Sequence, residues 1–187
     1  MEPTNLTHHF LIAMPSLQDP FFAGTLIYLA NHTDQGALGV ILNRPMELDL
    51  QTLFDQLGLP LKNPVIGQKT VLFGGPVQTD RGFVLHHPGQ GEWSSSLTVE
   101  DSVSVTSSRD ILQSIGEHGI PADFHLALGH AGWGPGQLEQ EIARNDWLTV
   151  PADLRILFET DADAQVTAAL HLLGIDLAFF SETAGHA

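Results

Sequence analysis

Cysteine is absent from the 187 residues. Its absence excludes disulfides, thiolate nucleophiles, Cys-type zinc sites and thiol redox sensing together. Cations are almost as scarce. Lys62 and Lys69 are the only lysines, and with Arg44, Arg81, Arg109, Arg144 and Arg155 they face 22 acidic residues, for a net charge of −15. Nucleic-acid binding rests on a basic face that neutralises phosphates, and this chain can hardly assemble one. The same charge repels anionic membranes. No window reaches the ~18 consecutive apolar residues of a membrane span. Met1 to Asn5 carries no positive charge, and the apolar run Phe10 to Met14 is too short for a secretion signal. A cytoplasmic protein is expected, with no membrane association and no direct contact to nucleic acid.

What is present suits one globular domain over residues 1–187. A chain of this length buries roughly 70% of its unfolded surface without staples, and 43% apolar with 16% charged residues is an ordinary globular balance. Short apolar runs punctuated by Pro, Gly and Asn read as strands: Phe10–Met14, Thr25–Ala30, Ala37–Leu42, Val71–Phe73, Gly82–His87 and Phe124–Leu128. The polar turn Asn31–Gly36 makes a hairpin of the second and third. Leu97–Val99 and Val103–Thr106 alternate as half-buried strands do, and Trp147–Val150 and Leu154–Phe158 look extended. Helices are predicted where apolar residues recur at helical spacing. One is capped by Asp49, carries Leu50, Leu53, Phe54 and Leu57, and is closed by Gly58. A second follows a capping-box-like pair, Ser107 and Asp110, and buries Ile111, Leu112 and Ile115. A third runs from Pro135 to about Asn145. The last, from about Ala162 to Gly174, presents Val166, Ala169, Leu170 and Leu173. Strands outnumber helices and no βαβ rhythm persists, so the fold class is α+β.

The most specific stretch runs from Gly129 to Gln137, where four glycines enclose His130 and Trp133. A strand leading through Gly132-Trp133-Gly134-Pro135-Gly136 into a helix can aim free N–H groups at an anion. Pro135 removes one donor, no Lys-Ser/Thr follows, and the G-x-G-x-G spacing fails the dinucleotide fingerprint. Two readings stand side by side: a ligand-facing loop through Gly132, Gly134, Gly136 and Gln137, or a tight turn with Trp133 plugging the core. His130, at a strand end beside backbone donors, is the best general-base candidate, and a structural hydrogen bond is its alternative role. His86 and His87 point to opposite faces of one strand, so at most one can join a site. Arg44 and Arg81 flank turns; each either contacts an anion or ties down its own loop. The ten histidines show no metal-binding spacing, so no metal or cofactor is expected. No nucleophile elbow occurs.

The chain resembles the AlgH/YqgE family of bacterial proteins nearly end to end. The markers are Phe10-Leu11-Ile12-Ala13-Met14-Pro15, Asp19-Pro20-x-Phe22, Gly36-Ala37-x-Gly39, Asn43-Arg44-Pro45, Gly74-Gly75-Pro76-Val77 and Arg81-Gly82-Phe83-x-Leu85-His86. Gly132-Trp133-x-x-Gly136-Gln137-Leu138-Glu139-x-Glu141 and Gly185-His186-Ala187 complete them. The chain departs where family members often carry a tryptophan in the last helix and Val166 stands here. The resemblance implies a mixed, bifurcated β-sheet folded into a partial barrel with peripheral helices, and no established activity. Some members are labelled regulators of alginate biosynthesis or transcription. Three functions follow in order of preference: a non-catalytic binding or regulatory protein acting through a protein or small-molecule partner; an enzyme on a small anionic or phosphorylated compound, using the Gly129–Gln137 loop with His130, His86, Arg44 and Arg81; and a DNA-binding regulator, which the charge disfavours.

Overall fold

Both faces of the first strand are buried, which explains its unbroken apolar sequence. In the computed structural model, which describes residues 5–180, β1 (His9–Ala13) directs Phe10 and Ile12 into one core cluster and Leu11 and Ala13 into another. The marker Gly185-His186-Ala187 lies outside the described residues. β2 (Leu26–Thr33) and β3 (Gly36–Ile41) form the expected hairpin, with Ile27 opposite Ile41 and Thr33 opposite Gly36. β4 (Pro45–Asp49) and β5 (Thr70–Phe73) pair with each other. β6 (Val77–His86), β7 (Ser96–Val99), β8 (Val103–Thr106), β9 (Phe124–Trp133) and β10 (Trp147–Pro151) complete the set. The main path runs β10-β1-β2-β3-β9-β6-β8-β7, and β4 and β5 branch from it through β9. The architecture is α+β, with a bifurcated sheet curled into a partial barrel.

β9 is the hub. Its first half lies between β6, where Phe83 opposes Ala127, and parallel β5, where Leu72 opposes Ala127. Its second half leaves β5 for β3, with Leu38 opposite Gly132 and Ala37 opposite Trp133. The change of partner falls at Gly129, whose φ is 77°, a backbone conformation costly for any residue with a Cβ. A Cβ there would collide with the Gly75 carbonyl oxygen, and one on Gly75 would collide with the backbone of His130. Two backbones cross in direct contact at the point where the sheet divides.

Helices close the open faces. α1 (Leu50–Leu57) is capped by the Asp49 carboxylate, which accepts from Thr52 N, and closed by left-handed Gly58, as expected. With α3 (Arg109–His118) it covers the β5-β9-β6 face through Leu50, Phe54, Ile111 and Ile115. α4 (Gln137–Ala143) covers the β1–β3 face through Leu138. α5 (Leu154–Glu159) and α6 (Gln165–Leu172) close the remaining face through Leu157, Ala169 and Leu170. α2 is the single turn Pro64–Gly67.

Several expectations are corrected. Leu154–Phe158 is helical because the Asp153 carboxylate accepts from Arg155 N and Ile156 N and nucleates a turn. β8 is buried throughout, because its polar residues find partners: Thr106 Oγ1 bonds His86 and Ser96, and Ser104 bonds Thr98. Ser107 is not the cap of α3; Ser108 holds that position, and Asp110 accepts from Ser94 N at 2.8 Å instead of capping. Leu173 lies 39% exposed, past the end of α6. Residues Gly129 to Trp133 belong to β9, so the loop shrinks to Gly134-Pro135-Gly136, and α4 begins at Gln137.

Candidate functional site

The polar residues of the glycine-rich signature have internal partners. Gln137 Oε1 accepts from Gly134 N at 3.0 Å, closing the turn. Glu139 accepts from Nε2 of buried His32, whose Nδ1 accepts from Leu6 N at 3.0 Å. That hydrogen bond draws the Glu139 carboxyl below the usual carboxylate range. One oxygen of Glu141 accepts from both Trp133 Nε1, at 3.3 Å, and Trp147 Nε1, at 3.1 Å. Trp133 stacks on Phe22 at 6.4 Å and meets Trp147 edge-on. Gly132, Gly134 and Gly136 form the backbone that connects these contacts.

The other candidates are dispersed. Arg44 lies past the end of β3, in the bend before β4, away from Leu38, the partner of Gly132. Its guanidinium donates to the Ala23 carbonyl and ties down the preceding loop. His86 opposes Phe124, about 20 Å along β9 from His130. It is buried; Nδ1 donates to the His87 carbonyl at 2.9 Å and Nε2 accepts from Thr106. Burial holds its pKa down, partly offset by the His87 carbonyl. Arg81 and His130 do approach each other, through Phe83: the guanidinium lies 5.6 Å from that ring and the imidazole meets its edge at 5.3 Å. Arg81 also donates to Ser107 Oγ at 2.8 Å, and His130 Nδ1 to the Ala131 carbonyl at 3.1 Å. Among the described residues, no group of three His, Asp or Glu side chains could hold a metal ion.

The structure offers a different concavity, which the sequence reading missed. A cleft of about 320 Å³ opens where β4 and β5 branch away, between β5, the start of β9 and the α5–α6 connection. Lys69, His125, Phe158, Glu159, Asp161 and Gln165 are among its walls. Lys69 Nζ donates to the Phe124 carbonyl at 2.9 Å and lies 4.5 Å from that ring. Burial lowers its pKa, opposed by the charge of Asp123. His125 Nε2 donates to the Leu157 carbonyl at 2.8 Å and the ring stacks on Phe158. Its pKa is lowered, first by burial, against the Leu157 hydrogen bond. Gln165 is 2% exposed. Its Nε2 donates to the Ile156 carbonyl at 3.1 Å, which fixes the amide's orientation, and its buried Oε1 has no hydrogen-bond partner. An unpaired buried acceptor costs about 1–3 kcal/mol. Lys69, His125 and Gln165 are far apart in sequence and share no motif; the one local signal was a lysine in a chain with only two.

With this geometry in hand, similarity to known proteins is informative. The AlgH-like family, DUF179, matches residues 10–178. UPF0301 protein azo3459 of Azoarcus sp. (strain BH72) is 58% identical over 183 residues, covering 98% of this chain and 97% of the relative. UPF0301 protein Nmul_A2478 of Nitrosospira multiformis is 51% identical over the whole of both chains, 187 residues. The solution structure of the AlgH protein from Pseudomonas aeruginosa superposes with a TM-score of 0.81 at 42% identity, covering 97% of this chain and 95% of that one. Protein DIP2367 of Corynebacterium diphtheriae shares the fold, with a TM-score of 0.69 at 21% identity over 97% of this chain and 94% of that one. The relatives' names assign them no activity. The chain belongs to the AlgH-like family.

Proposed function

We propose that the chain is a non-catalytic, cytoplasmic binding protein with a regulatory role, which works through a small molecule held in the cleft between β5, β9 and the α5–α6 connection. The observation that carries this reading is a cleft of about 320 Å³ with the half-buried Lys69 and His125 among its walls, the low end of the size range of small-ligand sites. In this reading Trp133, Gln137, Glu139 and Glu141 hold the frame that carries the cleft, and the ligand does not touch them. The absence of cysteine suits a reducing compartment, and no helix among the described residues is long and apolar enough to cross a membrane.

The test is a thermal-shift screen against small metabolites, followed by 1H–15N titration of the hits. A ligand at about one hundred times its Kd adds about 2.7 kcal/mol of stability, a rise of roughly 5–10 °C for a domain of this size. The resonances of Lys69, His125 and Gln165 are expected to move. Hits that instead move only Gly134, Gln137 and His130 refute the placement.

A further inference from the structure

We infer that the chain has a second binding site, at the mouth of the partial barrel, for a small monocarboxylate with a compact apolar body. The carboxylate sits on Arg81 and the body on Phe83, Val105 and Leu97. A cavity of about 270 Å³ opens there between β3 and the β7–β8 hairpin. Three strands separate β3 from β7 on the main path, yet Leu38 of β3 and Leu97 of β7 both stand on its walls, because the sheet curls. Leu97 opposes Val105, and Val105 opposes Leu85, so these side chains share a face with Phe83, two residues before Leu85. Phe83 and Val105 belong to the apolar cluster that draws on β1, β2, β3, β6, β8, β9 and β10 and fills the inside of the curl. At this cavity the barrel interior reaches the surface. Barrel mouths are recurrent small-molecule sites, and Leu97, on the edge strand, is 45% exposed.

Arg81 supplies the polar end, and its guanidinium is placed from two sides. It lies 5.6 Å from the Phe83 ring and donates to Ser107 Oγ at 2.8 Å, which in turn meets Ser95 Oγ at 3.1 Å. Phe83, Ser95 and Ser107 all line the cavity. A guanidinium has five N–H donors in a planar fork. Among the described residues Arg81 is in no ion pair, although the chain has 22 acidic residues. The fork suits a carboxylate, which it can hold by two parallel hydrogen bonds. One cation calls for one negative charge, since a dianion would add its excess to a chain already at −15. A neutral apolar molecule would cover Phe83 and Leu97 and leave the fork unused; a carboxylate without an apolar body would do the reverse. The small volume limits that body to a single ring or a short chain. His130 meets the edge of the Phe83 ring at 5.3 Å, so its resonance also reports occupancy.

The experiment is 1H–15N titration of the full chain with benzoate and hexanoate, each compared with its primary amide and with acetate. At least one of the two acids is expected to move the resonances of Arg81, Phe83, Leu97, Val105 and His130. Its amide and acetate are expected to bind tenfold or more weakly. Arg81→Gln is expected to bring the acid down to the affinity of its amide while leaving the amide's own binding unchanged. Leu97→Ser changes an exposed side chain, so it keeps the fold and serves if Arg81→Gln does not; it is expected to weaken the acid threefold or more and leave acetate unchanged. An amide that binds as tightly as its acid, or an acid indifferent to Arg81→Gln, overturns the role of Arg81 and with it the ligand class. Acetate binding as tightly as the larger acids overturns the apolar floor. Acids that move only Lys69, His125 and Gln165 occupy the other cleft; they overturn this site while the first one stands. Acids that move neither set overturn this site as well.

Discussion

Glu141 should be worth far more than a helix-surface carboxylate, because one of its oxygens serves two buried indoles. Trp133 and Trp147 are 7% and 3% exposed, so water cannot replace the lost acceptor when Glu141 is cut back to alanine. Each stranded N–H costs about 1–3 kcal/mol; allowing for the long 3.3 Å bond to Trp133, the pair should cost about 2–5 kcal/mol. At ~2–4 °C per kcal/mol for a chain of this length, Glu141→Ala should lower Tm by roughly 4–20 °C. Glu141→Gln keeps an oxygen in place and loses only the charge, so it should cost about 1 kcal/mol. Differential scanning calorimetry gives both numbers, and near-UV circular dichroism reports whether the Phe22–Trp133–Trp147 cluster loosens. If Glu141→Ala shifts stability by less than about 0.5 kcal/mol, as an ordinary surface change does, the indole account is wrong. If the glutamine variant falls as far as the alanine variant, charge and not the shared acceptor is what matters.

Glu139 should contribute to the acid limb of stability. Its folded pKa lies below the unfolded value of 4.5 because it accepts from His32, so its contribution is complete above about pH 4.5 and is lost as pH falls through the folded pKa. Urea midpoints between pH 3 and 6 should fall less steeply in Glu139→Gln, and an unchanged slope would contradict the assignment. Gly129→Ala adds a Cβ that strikes the Gly75 carbonyl at a positive φ; strain and overpacking together should cost about 2–5 kcal/mol in chemical denaturation, and a loss under 0.5 kcal/mol would mean that the crossing yields easily. Asp153→Ala removes the acceptor for two N–H groups of α5 and should cost about 1 kcal/mol, with faster amide exchange at Ile156 and Leu157; unchanged exchange would show that packing alone holds that turn.

Much of the frame was legible because its signals are local. Asp49 and Gly58 bracket α1, the Asn31–Gly36 turn joins β2 to β3, and the apolar runs locate most strands. Leu154–Phe158 was misread because five residues of mixed periodicity fit a strand as well as a helix, and the deciding feature, the Asp153 cap, lies just outside the run. The glycine stretch was read as a loop because glycine clusters usually mark turns. Here Gly129 and Gly132 lie within a strand, and at Gly129 the absent side chain lets another backbone pass.

The sequence by itself determined the class of fold, the family, the acidic surface and the lack of thiol chemistry, since these depend on composition, local periodicity and the order of motifs. Only the tertiary structure decided what the Gly129–Gln137 stretch does. Glu139 and Glu141, which follow it on α4, reach His32 and Trp147, partners set by strand pairing and helix packing that local pattern does not encode. The cleft was decided the same way. Lys69, His125 and Gln165 meet because β9 takes β5 as a parallel neighbour before bending at Gly129 toward β3, and a site built from three distant segments leaves no contiguous trace in the chain.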